Sequence, residues 1–268
     1  MNEIEINKIY NMDCLEGMKY IEDKSIDMIL CDLPYGTTAC KWDVIIPFEP
    51  LWEQYERIIK DNGSIILTAT QPFTTKLIAS NLDLFKYCWV WEKDRSKATN
   101  FTHAKNSPLK VHEDICVFAK GLIAHKNNPK RMTYNPQGLI PYGKIVKGNN
   151  KGGSNNEHKM DRPSHKSQYI REFTNYPVSI IKFNTDFTQI HPTQKPVALF
   201  EYLINTYTYE QNTILDNCMG SGTTAIACIN TNRNYIGFEW CPDEPHDKYF
   251  VLANKRIEEH KQNININT

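Results

Sequence analysis

Short apolar runs alternate with amphipathic segments along the first 120 residues of the chain. Runs rich in branched and aromatic residues predict strands at residues 26–31, 64–69, 87–91 and 115–119. Longer segments at residues 48–60 and 73–81 predict helices. Such alternation is typical of a mostly parallel sheet covered by helices.

The pattern stops in the middle of the chain and resumes near residue 195. Between residues 122 and 184 the sequence is rich in Asn, Lys, Gly, Pro and Ser, as in KIVKGNNKGGSNNEHK, which predicts an irregular, partly mobile insertion. Beyond it we predict a helix at 197–205, a strand at 213–215, a glycine turn, a second helix at 223–230 and a strand at 235–238. We therefore predict one doubly wound α/β domain, formed by residues 1–121 and 187–268, with an insertion at 122–186.

Length and cysteine usage narrow the class of protein. The 268 residues include no apolar run of about 18 residues and no charged-then-apolar leader, so we expect a soluble, cytoplasmic protein that does not cross a membrane. The eight cysteines are scattered and form no CxxC pair. We interpret them as reduced thiols, with no disulfide framework and no metal site.

Charge is balanced overall but unevenly distributed. Lys plus Arg equals Asp plus Glu, yet residues 93–171 contain 16 basic and 5 acidic residues, a net charge of +11. This asymmetry favours an electropositive face that attracts a polyanion. A solvated, lysine-rich loop is the alternative, so charge alone raises the nucleic-acid hypothesis only modestly.

The string ILCDLPYGTT places a carboxylate and a tyrosine directly after a predicted strand. Asp32 then lies at the carboxyl end of the strand, with Tyr35 three residues later. Ligands of open α/β sheets bind at that edge, so the pair indicates a site. An ordinary turn explains the same string about equally well, because Asp, Pro and Gly all favour turns.

A second candidate site follows the strand at 213–215. The string DNCMGSGTT is a strand, glycine turn and helix start, which allows backbone N–H groups to approach a ligand closely. It lacks the third glycine of GxGxxG and the Lys of a P-loop, so a different adenosyl ligand fits better. Glu239 ends the next strand, where an acid binds ribose hydroxyls; a solvated strand end is its alternative. In the string HPTQKP, Thr193 is a candidate cap for the helix that follows. Lys195 is a candidate to neutralise the carboxylate of a ligand.

Three strings in fixed order, DLPYG, HPTQKP and DNCMGSGTT, resemble the S-adenosylmethionine-dependent amino-group DNA methyltransferases. The catalytic motif precedes the cofactor motif, which resembles the permuted β class. The resemblance covers nearly the whole chain and implies a seven-stranded Rossmann-like sheet, with the basic insertion as a target-recognition region. It implies the following catalytic residues: Asp32, Leu33, Pro34 and Tyr35. It also implies cofactor-binding residues: Asp13, Cys14, Thr193, Lys195, Asp216, Gly220, Gly222, Thr223 and Glu239.

Some of these positions depart from the family pattern. Leu33 replaces a proline, which matters little if only the backbone carbonyl acts there. Asn217 and Cys218 replace the usual Pro-Phe, and Met12 replaces the glycine of a "GDC" turn that would place Asp13 at the adenine.

The resemblance implies double-stranded DNA as the substrate, with the target base flipped out and stacked on Tyr35. Basic side chains in the middle of the chain are the candidate DNA contacts: Lys97, Lys105, Arg131, Lys144, Lys147, Arg162, Lys166 and Arg171. A leading Asp favours N6 of adenine, with N4 of cytosine as the alternative. A DNA-binding protein that has lost activity on the same fold is a third hypothesis. Two further partners enter by resemblance, a second copy of the chain and a companion restriction endonuclease.

Overall fold

A computed structural model describes residues 4–38, 40, 43–125, 127–147, 168–185, 194–240 and 248–267. The chain divides into two compact units, one formed by Met1–Asn135 with Ser179–Thr268 and the other by Pro136–Val178. We describe each unit separately, and the larger one contains the main sheet.

Among the described residues, eight strands of the larger unit form one sheet. In chain order they are β1 (Lys8–Tyr10), β2 (Ile26–Cys31), β3 (Ile59–Ala69), β4 (Phe85–Glu92) and β5 (His112–Phe118), then β8 (Ile180–Lys182), β9 (Thr213–Asp216) and β10 (Asn234–Phe238). Their spatial order is β1-β10-β9-β2-β3-β5-β4-β8. All these pairs are parallel except those of β5, which is antiparallel to both β3 and β4.

Helices cover both faces of this sheet. Those in the described part of the chain are α1 (Cys14–Met18), α2 (Phe48–Ile58), α3 (Phe73–Ser80), α4 (Val197–Tyr207), α5 (Thr223–Asn230) and α6 (Lys248–Asn267). Alternate residues of β2 enter two different cores: Met28 and Leu30 pack with α4, α5 and α6, whereas Ile29 and Cys31 pack with α1, α2 and α3. Two buried faces explain why this strand is continuously apolar.

The structure confirms the doubly wound, mostly parallel α/β sheet. As expected, β2 and β9 are neighbours at its centre, with Ile29 opposite Leu215. Within the described ranges the sheet has eight strands instead of seven, because the short β8 adds to β4 at one edge through Val90–Ile180 pairing. The predicted helix 48–60 ends at Ile58, and the chain passes directly into β3.

The smaller unit contains two antiparallel strands, β6 (Ile140–Lys147) and β7 (Gln168–Thr174), which the irregular composition did not predict. Residues before and after this unit belong to the larger one: Met132 is buried in its core, and the Asn135 N–H donates to the Thr206 carbonyl at 2.7 Å. The compact second unit, residues 136–178, is thus shorter than the insertion expected at 122–186.

Candidate functional site

A cavity of about 970 Å³ opens at the edge of the sheet where the parallel strands end. Its lining includes the residues that follow β2, β9 and β10, together with the first residues of β5. The reversed β5 contributes its amino end, because antiparallel strands start where parallel strands stop. Both sequence motifs therefore meet in one cavity.

Asp32 lies at the centre of a network of hydrogen bonds at the end of β2. Its Oδ1 accepts from the Tyr35 hydroxyl at 2.6 Å and from the Thr68 hydroxyl of β3. Its Oδ2 accepts from Lys195 Nζ at 2.5 Å. The carboxylate therefore has a donor on each oxygen.

Lys195 connects Asp32 to a second carboxylate. Its Nζ lies 3.4 Å from Glu113 Oε2 of β5, and Glu113 Oε1 pairs with Lys93. Burial alone would lower the pKa of Lys195, but Asp32 and Glu113 outweigh it and raise the pKa above its ordinary value. Four charges of alternating sign thus run from the cavity centre to Lys93.

That Lys195 faces the carboxylate of a ligand stays a prediction. In the structure its ammonium contacts two carboxylates of the protein, Asp32 and Glu113. Thr193, from the same motif, lies outside the described residues.

Tyr35 is held by both its ring and its hydroxyl. The ring stacks on Phe73 of α3 at 5.0 Å between centroids and 27° between planes. Burial, with a smaller effect from the Asp32 charge, raises the pKa of Tyr35 well above its ordinary value. Since Phe73 is itself buried, the stacking covers the face of Tyr35 that is turned toward the core.

The turn after Tyr35 closes on the carboxylate of Asp43. Backbone N–H groups of Gly36, Thr37 and Thr38 donate to it at 2.8, 2.9 and 2.7 Å. Leu33 and Pro34 also line the cavity, but the Leu33 side chain is 4% exposed and packs in the core of α1, α2 and α3. Only the backbone of Leu33 is therefore available for chemistry.

The glycine turn adopts the conformation that its sequence indicates. Gly220 and Gly222 have φ angles of +53° and +80°, a region that L side chains rarely adopt. A Cβ on Gly222 would lie 3.2 Å from Ile257 Cδ1 of α6. The Gly220 N–H donates to Glu239 Oε2 at 2.7 Å, so the turn and the acid form one unit.

The two acids on either side of this turn have raised pKa values. Burial raises the pKa of Asp216 to about 6, although hydrogen bonds from Thr224 and from the Cys218 N–H favour its carboxylate. Burial likewise raises the pKa of Glu239 to about 7, against the hydrogen bond from Gly220.

Asp13 and Cys14 line another part of the same cavity. The Asp13 side chain caps α1 by accepting from the Glu16 N–H at 3.1 Å. Cys14 Sγ accepts from Asn217 Nδ2 at 3.6 Å, and Asn217 Oδ1 accepts from the Tyr55 hydroxyl at 2.5 Å. Asn217, which replaces the usual proline of the family motif, is thus fixed by its own buried contacts.

The expected DNA contacts lie in several places. Lys97 and Lys105 are exposed between β4 and β5. Arg131 is half-buried and donates to the Tyr134 carbonyl, which already uses part of its guanidinium.

Lys144 and Arg171 are opposite each other on β6 and β7, and both approach the ring of Tyr142, at 5.4 and 5.9 Å. Lys147 pairs through its backbone with Gln168 at the end of the same two strands. Arg162 and Lys166 lie outside the described residues.

Sequence reasoning missed the residues that surround the motifs: Thr68, Lys93, Glu113, Asp43 and Arg256. Arg256 Nη1 donates to the Ser221 carbonyl at 3.0 Å and so ties α6 to the glycine turn. Some signal was present for Glu113, an acid at the start of an otherwise apolar strand. Nothing local marks Arg256, whose contact spans 35 residues.

Comparison with known proteins agrees with this geometry. The family model described as DNA methylase, N6/N4 type, matches residues 26–244. The type II methyltransferase M.HpaI of Haemophilus parainfluenzae is 26% identical over 262 residues, covering 92% of this chain and 72% of that protein. The DNA adenine methyltransferase YhdJ of Escherichia coli (strain K12) is 27% identical over 248 residues, with coverage of 88% and 79%.

Two solved structures share the fold. The M1.HpyAVI–SAM complex has a TM-score of 0.59 at 23% identity, covering 93% of this chain and 98% of that one. The cytosine-N4-specific PvuII DNA methyltransferase has a TM-score of 0.62 at 12% identity, covering 98% and 93%. With the family model spanning most of its length, the chain belongs to the N6/N4 DNA methylases and is a DNA methyltransferase.

Proposed function

We propose that this methyltransferase modifies the N6 amino group of adenine in double-stranded DNA, with Asp32 as the acceptor that holds the target amine. The observation that carries the proposal is the position of Asp32, at the end of β2 and inside the cavity, beside the backbone of Leu33. The leading Asp of the DLPYG string favours adenine. A relative named as a DNA adenine methyltransferase matches 88% of this chain, which supports the same choice.

The chemistry requires a more reactive nitrogen. The lone pair of an exocyclic amine is delocalised into the base, which makes the amine a poor nucleophile. Two acceptors, the Asp32 carboxylate and the Leu33 carbonyl, would bind its two protons and localise the lone pair. Bound S-adenosylmethionine supplies a methyl group on a sulfonium, so the protein contributes mainly positioning and a preformed electrostatic environment.

The residues around the glycine turn fit this cofactor. Gly220 and Gly222 have no side chains to obstruct a ligand, and Asp13 and Glu239 border the same cavity. Glu239 would accept hydrogen bonds from ribose hydroxyls, as acids at this position of α/β sheets do. We assign Cys14, Asp216 and Thr223 to the walls of this part of the cavity.

Tyr35 supplies the stacking surface for a flipped base in this proposal. Phe73 stacks against the ring, and the Lys195 ammonium lies over the ring, 5.8 Å from its centroid. Stacking a base on an aromatic ring contributes about 1–3 kcal/mol, which offsets part of the cost of flipping.

We assign DNA contacts to two groups of basic residues. Lys97 and Lys105 lie on the exposed connection between β4 and β5, and Lys144 and Arg171 lie beside the Tyr142 ring in the smaller unit. Replacing each group separately by uncharged residues should weaken the dependence of DNA affinity on salt concentration. The slope of log affinity against log salt should fall by roughly one unit for each phosphate contact that is lost.

Mass spectrometry of nucleosides tests the choice of base. DNA from a methylation-free host that expresses the protein should contain N6-methyladenine, and Asp32→Ala should abolish it while S-adenosylmethionine still binds. N4-methylcytosine in its place would overturn the adenine assignment. Full activity of Asp32→Ala would overturn the role of Asp32 for either base.

A further inference from the structure

Both oxygens of Asp32, the proposed acceptor of the target amine, already accept hydrogen bonds in the structure. Oδ1 accepts from Tyr35 and Thr68, and Oδ2 accepts from Lys195 at 2.5 Å. A carboxylate offers about four acceptor sites, so a target amine that binds Asp32 would take the remaining site on Oδ2, directly beside the Lys195 ammonium.

A shift of the Lys195 ammonium away from Oδ2 would make room for the amine, and Lys195 has a second carboxylate within reach. Its Nζ already lies 3.4 Å from Glu113 Oε2, and in the described part of the chain that oxygen accepts no closer donor. Charge-assisted N–H···O bonds are about 2.7–2.9 Å long, so a shift of about 0.6 Å would complete one to Glu113. Tyr35 and Thr68, in contrast, share one oxygen of Asp32 and lie 3.1 Å from each other.

We propose that Glu113 is a positioning residue that receives the Lys195 ammonium when the target amine binds Asp32. The inference rests on the proposed function, because it requires Asp32 to be the amine acceptor. Glu113 acts through Lys195 and does not contact the base. Lys195 thus occupies two positions, near Asp32 without substrate and near Glu113 with it.

The surroundings of Glu113 suit this role. Lys93 holds Oε1, which fixes the carboxylate and leaves Oε2 directed at Lys195. The Lys195 and Glu113 side chains are 6% and 14% exposed. A buried ammonium needs a carboxylate partner, and Glu113 supplies one that the substrate does not displace.

The test is the rate of a single turnover with S-adenosylmethionine and DNA already bound. In Glu113→Gln the ammonium keeps its ion pair with Asp32 but has no charge at Glu113 to move to, so the amine must compete with it. We expect a rate loss of about 100-fold, the effect of roughly 1 Å of misplacement, with unchanged affinity for S-adenosylmethionine. Glu113→Asp, which keeps the charge, should recover part of the rate.

Asp27→Asn is the matched control. Asp27 has the same 14% exposure and its own lysine partner, Lys60 at 2.7 Å, but it lies at the opposite end of β2. Its variant should retain the wild-type single-turnover rate. Equal slowing by both substitutions would show a general loosening of the fold and overturn the inference.

A double-mutant cycle separates positioning from simple stabilisation. Lys195→Met removes the ammonium, so adding Glu113→Gln to it should slow the reaction no further. Multiplicative slowing would refute the two-position role. If Asp32→Ala stays active, the proposed function fails; if it is inactive while Glu113→Gln turns over at the wild-type rate, only this inference fails.

Discussion

Replacing Asp43 by Asn tests what holds the turn after Tyr35. The Asp43 carboxylate accepts three backbone N–H groups, one on Oδ1 from Gly36 and two on Oδ2 from Thr37 and Thr38. An asparagine side chain would keep one acceptor oxygen but would place an NH₂ group against the N–H donors that face the other oxygen. We therefore expect the turn to open more often in Asp43→Asn while the rest of the sheet is unchanged.

The size of the effect follows from the hydrogen bonds that the amide cannot accept. A hydrogen bond to a charged group contributes about 1.5–3 kcal/mol. Gly36, Thr37 and Thr38 are exposed, so water replaces part of that energy. A net decrease of about 2 kcal/mol corresponds to an about 30-fold change in the ratio of closed to open turn.

Amide hydrogen exchange measures that ratio directly. Exchange at residues 36–38 should accelerate about 30-fold, and methyl transfer should slow because Tyr35 is held less firmly. Asp23→Asn, which alters a 74% exposed carboxylate paired with Arg57, serves as the control and should change neither quantity. Unchanged protection of residues 36–38 in Asp43→Asn would refute the reasoning.

The pH dependence of hydrogen exchange in this turn provides a second test of the role of Asp43. Burial alone would raise the pKa of Asp43, but hydrogen bonds from Thr38 and from the three backbone N–H groups outweigh it and lower the pKa. The stabilisation is thus fully present above the ordinary carboxyl pKa and is lost as the pH falls through the lowered one. Exchange at residues 36–38 should accelerate only in that acidic range.

Three further predictions concern the cofactor turn and Leu33. The pKa of about 7 for Glu239 means that its carboxylate forms as the pH rises through that value. The affinity for S-adenosylmethionine, measured by calorimetry, should therefore increase over that range, and Glu239→Gln should abolish this pH dependence. An affinity of the wild-type protein that does not change with pH would contradict the prediction. Leu33→Pro should lower the unfolding free energy by about 1–3 kcal/mol, because it shortens a buried side chain, yet leave methylation intact; an inactive but folded variant would disprove the backbone-only role. Gly222→Ala should lower both the melting temperature and the affinity for S-adenosylmethionine. Its Cβ would be crowded against Ile257, in addition to roughly 1–2 kcal/mol of backbone strain at a positive φ angle. Gly143→Ala is the control, because at φ +63° with nothing within 4 Å it introduces the backbone strain alone.

The local hydrophobic pattern of the sequence was sufficient to predict most strands of the main sheet. Strand β2 was predicted at its observed limits, because two buried faces make it apolar throughout. Strands β6 and β7 were missed, because their side chains are mostly exposed and little hydrophobic periodicity marks them. The short β8 was missed for a related reason, since three residues are too few to show a pattern.

Short sequence motifs predicted that Asp32, Tyr35, Gly220 and Glu239 belong to one site, and all four line the same cavity. Their roles there stay predictions. The contact of Lys195 with Asp32 was not predicted, because it spans 163 residues. Contacts of that kind follow from sheet order, which the sequence reveals only in outline.

The reversed direction of β5 has a consequence for how this enzyme can diversify. The connection from β4 to β5 leaves and re-enters the sheet at the same edge, with Lys93 at one end and Glu113 at the other. The Lys93 N–H donates to the Val111 carbonyl at 2.7 Å, and Thr99 pairs with Lys110. The base of the connection is therefore fixed by the sheet, while its tip can change in length and charge without moving either residue. Under the proposed function, DNA preference can therefore evolve at that tip independently of the chemistry assigned to Asp32.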